Sequence, residues 1–227
     1  MAYILREFIG NPRDVMATQI KTTKFVLQNL SHAARLKNKK DLFRYSINQV
    51  KVDGLYLEFG VYRGESLNYI ASLSGNNTVY GFDSFEGMPE EWITVPIGHF
   101  KLDKLPKVRS NAKLVVGWFQ ESLEPFLEEH SEKVAFVNLD AVLYSSTSYV
   151  LLTLAEKGRL QRGTVIQFDE IFNYWGWWGG GEYKALQDLI DRFDVKISYL
   201  GYVAPRMTLP MKGSTALPLS LKVLRIH

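Results

Sequence analysis

From residue 54 onward the chain repeats one pattern: a short, nearly continuous apolar run bounded by glycine or polar residues, then a stretch with helical spacing. The runs at 54–59, 78–82, 112–116, 134–139, 163–168, 195–203 and 219–226 predict seven strands. Helices are predicted over 66–72, 121–130, 146–157 and 181–193. This alternation predicts an α/β fold, a mostly parallel sheet with helices on both faces, because strands buried on both sides read as unbroken apolar runs. Only the loop 204–218 separates the last two runs, with no convincing helix, so one antiparallel edge strand is expected.

Upstream, Val15, Ile20, Phe25, Val26, Leu27 and Leu30 follow a helical period, and a second helical stretch covers 42–47. They predict an N-terminal helical cap over residues 1–50, ahead of a ligand-binding domain at 51–227. The segment 85–110 contains Pro89, Pro96, Gly98 and Pro106 and has no period. Loops this long inside compact domains are commonly functional, which makes it the candidate lid or acceptor-binding segment.

Composition narrows the classes. A chain of 227 residues with 46% hydrophobic content builds one sizeable core, and no apolar run reaches the roughly 20 residues needed to cross a bilayer. The net charge of +3 is slight, and the basic run 35–40 is followed at once by Asp41, so it reads as a solvated helix end and not a nucleic-acid surface. Cysteine is absent, which removes disulfides and thiolate chemistry. The first residues carry Arg6, Glu7 and Arg13 and lack the form of a signal peptide, so a cytoplasmic protein is expected, with neither membrane nor nucleic acid as partner and self-association left open.

Candidate chemistry gathers at strand ends. In LEFGVYRGES (57–66) an acidic residue, Glu58, precedes Gly60 and Gly64 and the start of a helix. Such a turn lets a ligand approach the backbone and exposes helix N-terminal amides; alternatively the glycines serve the turn alone. The third glycine of a dinucleotide fingerprint is missing. In VYGFDSFEG (79–87) a second run ends at Asp83, placed to accept hydrogen bonds from ribose hydroxyls, or else to cap the turn. Two further runs end at Asp140 and at Asp169–Glu170. If those strands are neighbours, three carboxylates converge at the ligand edge and suit a divalent ion such as Mg2+; the other reading is caps and solvent-facing acids.

Taken together, LEFGVYRGES, YGFDSFEGMPEEW, VVGWFQESLEPFL, LYSST and FDEIFNYWGWWGGGEYKAL resemble the macrocin O-methyltransferase-like family over about residues 54–203. The resemblance implies a Rossmann-like class I methyltransferase fold, S-adenosylmethionine as methyl donor, and Mg2+-dependent methylation of a hydroxyl on a saccharide or glycosylated natural product. It matches Glu58, Gly60, Tyr62, Gly64 and Ser66 to the cofactor loop, Asp83 and Ser84 to the ribose turn, and Asp140, Asp169 and Glu170 to the metal. Trp118, in GWFQES, is expected near the adenine, or else in the core.

One departure stands out. Where the family commonly reads HIDxDLYSST this chain reads NLDAVLYSST, so the histidine is Asn138 and the aspartate associated with proton removal is Val142. Valine neither accepts a proton nor binds metal. The alternative to an O-methyltransferase is therefore a non-catalytic S-adenosylmethionine-binding protein of the same fold. His99, in the long loop, is a candidate base or else a solvated side chain, and the run Tyr174, Trp175, Trp177, Trp178 is expected to stack on an acceptor, or else to pack a lid onto the sheet.

Overall fold

The computed structural model describes residues 12–93, 95–172, 174, 176–203 and 222–226. In chain order the elements are α1 (Pro12–Asn29), β1 (Ala34–Leu36), α2 (Lys39–Gln49), β2 (Leu55–Phe59), α3 (Glu65–Leu73), β3 (Val79–Asp83), β4 (Ala112–Val116), α4 (Phe119–Glu129), β5 (Val134–Leu139), α5 (Tyr144–Glu156), β6 (Val165–Phe168), α6 (Gly181–Phe193), β7 (Ile197–Val203) and β8 (Lys222–Ile226), with a 3-10 turn at Trp177–Gly179 before α6. The strands form one sheet in the order β1-β7-β8-β6-β5-β2-β3-β4. Every pairing is parallel except those of β8, which runs against both β6 and β7. No described helix is long and apolar enough to cross a membrane.

Two expectations change here. The described residues form eight strands in place of seven, because Ala34–Leu36, inside the segment read as helical cap, pairs with Gly201–Val203. Three residues are too few to carry a period, and the open edge of β7 recruits them. The reversed strand is not at the edge either: β8 is inserted between β6 and β7. Hydrogen bonding to both neighbours leaves it no unpaired side.

Strands β2, β5 and β6 are buried throughout, as central parallel strands covered on both faces must be. Leu55, Leu57 and Phe59 enter one apolar layer with residues of α1, α4, α5 and α6, while Tyr56 enters the other with residues of α2 and α3. The N-terminal segment thus supplies one helix to each layer. On the α2 side a polar row crosses the sheet, since Glu58, Asn138 and Gln167 are aligned in register on β2, β5 and β6 and all three are buried. The Ser46 hydroxyl of α2 donates to Gln167 Oε1 at 2.6 Å, which pins α2 over this row.

Candidate active site

The cavity, of about 580 Å³, opens where β2, β3 and β5 end. Its first wall is the turn between β2 and α3. Gly60 has φ +92, and a Cβ there would collide with the carbonyl oxygen of Asp140, so only glycine lets the two strand ends lie side by side. Gly64 begins α3 in the left-handed conformation with no side-chain cap, leaving first-turn amides available to a ligand. Asp83 braces this turn from the next strand: its Oδ2 accepts from the Val61 and Tyr62 amides at 2.8 Å each, and its Oδ1 from Phe85 N at 2.7 Å. Tyr62 has φ +47, an uncommon backbone for a non-glycine residue, so the brace also holds a strained position.

Another part of the lining is apolar and aromatic. Trp118 and Phe119 come from the start of α4, Phe43 from α2, and Met88, Trp92 and Phe100 from the segment after β3. That segment folds back on itself through Met88 N to His99 O at 2.8 Å and Leu102 N to Phe85 O at 3.0 Å. It contributes Gly87, Met88, Pro89, Trp92 and Phe100 to the cavity lining.

The floor is charged. Lys39, the first residue of α2, places Nζ 3.0 Å from Asp140 Oδ2 and 2.6 Å from Asp169 Oδ1. Burial pulls the Lys39 pKa down, but the charges of Asp140 and Asp169 outweigh it and hold the ammonium well above the ordinary lysine value. Burial and the charge of Asp140 push Asp169 up, against the pull of Lys39. Glu170 rises to about 8 through burial and the charges of Asp169 and Asp140. Its amide donates to Glu182 Oε2 at 2.9 Å, which ties the floor to α6.

A family profile described as a methyltransferase domain matches residues 57–171, just over half of the chain. The chain belongs to this methyltransferase family. The structure described as CalS11, a calicheamicin methyltransferase, is 23% identical, with 97% of this chain and 96% of that one covered and a TM-score of 0.61. Cofactor-bound Rv0187 from MTB is 14% identical, with 99% and 94% covered and a TM-score of 0.50. Among curated proteins none matches in sequence. At these identities the solved structures establish the fold of this methyltransferase.

Of the residues expected in the cofactor site, Gly60, Tyr62, Ser66, Asp83, Ser84 and Trp118 line the cavity. Glu58 and Gly64 are not among its lining; Glu58 is fully buried in the polar row. Val142, Asp140 and Glu170 line the cavity, and His99 does not: its ring packs edge-on against Phe100 at 4.3 Å.

The aromatic run behaves differently from the expectation. Trp177 is buried in the core against Phe25 and Tyr183, Lys21 lies 4.4 Å over the Trp178 ring, and Tyr174 meets Trp92 of the segment after β3 at 5.9 Å. Trp175 lies outside the described residues. Core packing took these rings because the 3-10 turn faces α1 and α6, not the cavity.

The arrangement does not fit Mg2+. Asp140, Asp169 and Glu170 gather at one sheet edge, yet among the described residues no three acidic, histidine or cysteine groups are placed to hold a metal. The ammonium of Lys39 lies between the two aspartates instead. Sequence reasoning missed Lys39, although it stands in the basic run 35–40, because a lysine at a helix start is usually solvated.

Proposed function

We propose that this methyltransferase moves the methyl group of S-adenosylmethionine to a hydroxyl of a small molecule, in the manner of the macrocin O-methyltransferase-like enzymes, with a sugar or glycosylated natural product as acceptor. The observation that carries the reading is the cavity itself. Part of its lining is a glycine turn and an uncapped helix N-terminus braced by Asp83, and another part is aromatic, supplied by α4 and the segment after β3. The first suits a ligand carrying a carboxylate and ribose hydroxyls, and the second suits the apolar face of a ring. That CalS11 is described as a calicheamicin methyltransferase agrees with a small-molecule acceptor.

S-adenosylmethionine supplies an electrophilic methyl when bound. The first-turn amides of α3 would receive its carboxylate, Asp83 and Ser84 would border the ribose, and Trp118 would offer a face to the adenine. Trp92, Phe100 and Met88 hold the acceptor and exclude water. Positioning accounts for much of such a rate enhancement, since an in-line displacement needs the attacking oxygen close to the methyl and opposite the sulfur.

Calorimetry with S-adenosylhomocysteine and NAD, followed by labelled-methyl transfer to a panel of glycosides, tests the reading. S-adenosylhomocysteine binds, NAD does not, and at least one glycoside is labelled. Tight S-adenosylhomocysteine binding with no labelled product across a broad panel of hydroxyl acceptors would establish the non-catalytic alternative that Val142 favours.

A further inference from the structure

Lys39 and its two aspartates are held from three separate elements. Asp140 follows β5 and its amide donates to Phe59 O at 2.8 Å; Asp169 follows β6 and its amide donates to Leu139 O at 2.8 Å. Both carboxylates are therefore fixed to the sheet edge by continued strand pairing. Lys39 arrives on α2, whose start is set by Asn38, the N-cap, accepting from Asp41 N at 2.9 Å. Leu42 and Phe43, buried in the next turn, and the Ser46 bond to Gln167 seat the helix on the sheet. The lysine is not swinging freely from a surface.

Two carboxylates at the edge of a cavity repel one another unless a cation lies between them. A divalent ion could do this, but it needs free oxygen ligands and room for several of them. Here one oxygen of each aspartate, Asp140 Oδ2 and Asp169 Oδ1, already faces an ammonium, and no three-ligand group exists among the described residues. An ammonium has three donors; one goes to Asp140 Oδ2, while Nζ meets Asp169 Oδ1 as an ion pair without hydrogen-bond geometry. Lys39 also lines the cavity, where a remaining donor would meet an acceptor oxygen.

We propose that Lys39 is the built-in cation of this enzyme. Its ammonium occupies the place between Asp140 and Asp169 that the family resemblance gives to Mg2+, and makes the protein indifferent to divalent metal. The donation to an acceptor oxygen rests on the methyl-transfer reading above; the indifference to metal does not.

Thermal melts of the full chain with and without millimolar Mn2+ or Mg2+ test this directly. The wild type shows no shift. Lys39→Met and Lys39→Ala free both carboxylates and acquire a Mn2+-dependent rise in Tm, because a ligand that binds only the native state stabilises it by mass action. Lys39→Arg keeps the charge and stays indifferent, which separates loss of the cation from damage to α2. If the neutral variants do not fold, calorimetric titration of the wild type with Mn2+ decides: no heat supports the proposal. A Mn2+-dependent rise in the wild type, or a cooperatively folded Lys39→Met protein that ignores Mn2+, overturns it. S-adenosylhomocysteine titrated in EDTA keeps the two readings apart, since lost binding to the metal-free wild type overturns metal independence, and failure to bind with or without metal counts against the methyl-transfer reading alone.

Discussion

The Asn138 side chain donates to Glu58 Oε1 at 2.8 Å, joining two fully buried polar residues that face one another on adjacent parallel strands. Glu58 was expected beside the cofactor, yet it lies one step inside the sheet edge, beneath α2. Burial pushes its carboxyl up to about 8, against hydrogen bonds from Ser66 and Asn138 that favour the ionised form, and the charge of Asp140 adds to the rise.

A pH dependence follows from that burial. The folded pKa of Glu58 lies above its unfolded value of about 4.5, so the proton is held more tightly in the native state. Its contribution to stability is full below the unfolded value and is lost as pH rises through about 8. Glu58→Gln, which stays neutral and can still accept from Asn138, should flatten the fall of Tm between about pH 5 and pH 9. Asp169 and Glu170 are raised as well, so some slope persists. Identical slopes in mutant and wild type would show that Glu58 is not what titrates.

Asp83→Ala should weaken S-adenosylhomocysteine binding by about 1–3 kcal/mol while the fold survives, because two amides of the cofactor turn lose their acceptor. Calorimetry reads the change. An unaltered affinity in a folded mutant would remove Asp83 from the site.

At Gly60 the expectation is harsher. Gly60→Ala drives a methyl group into the Asp140 carbonyl and forces alanine into φ +92, so the ends of β2 and β5 must part. Loss of S-adenosylhomocysteine binding together with a lowered melting temperature is the expected result. Normal binding would show that the turn does not hold the ligand.

Val142 combines a cavity position with a left-handed backbone, φ +48, in a β-branched residue. Such conformations are costly for valine and milder for aspartate, and they cluster at functional sites. Val142→Asp should therefore keep or raise Tm and, by adding a proton acceptor to the cavity wall, speed methyl transfer at least about tenfold with little change in cofactor affinity. If the wild type is already fast and the variant slower, proton removal belongs to another group.

The central sheet was legible because its signal is local. The runs at 54–59, 112–116 and 134–139 became β2, β4 and β5 with boundaries within a residue; β2 and β5 are buried throughout, and β4, at the end of the sheet and only partly buried, still shows its apolar run. The glycine turn, Asp83 and the carboxylates at strand ends were legible for the same reason: the chemistry sits where an apolar run stops. What the amino-acid order determined, then, was the alternation of strands and helices and the residues delivered to one edge.

Tertiary structure decided what depends on distant partners. Ala34–Leu36 is a strand only because β7 offers it an edge, and β8 is internal only because both β6 and β7 can pair with it. Trp177 became core when α1 and α6 closed around it. Lys39 meets Asp140 across 101 positions of sequence, a separation at which no local pattern distinguishes a solvated lysine from a counter-ion. Periodicity records what each segment buries. Ion pairs and edge pairings are instead settled by which segments the folded sheet brings side by side.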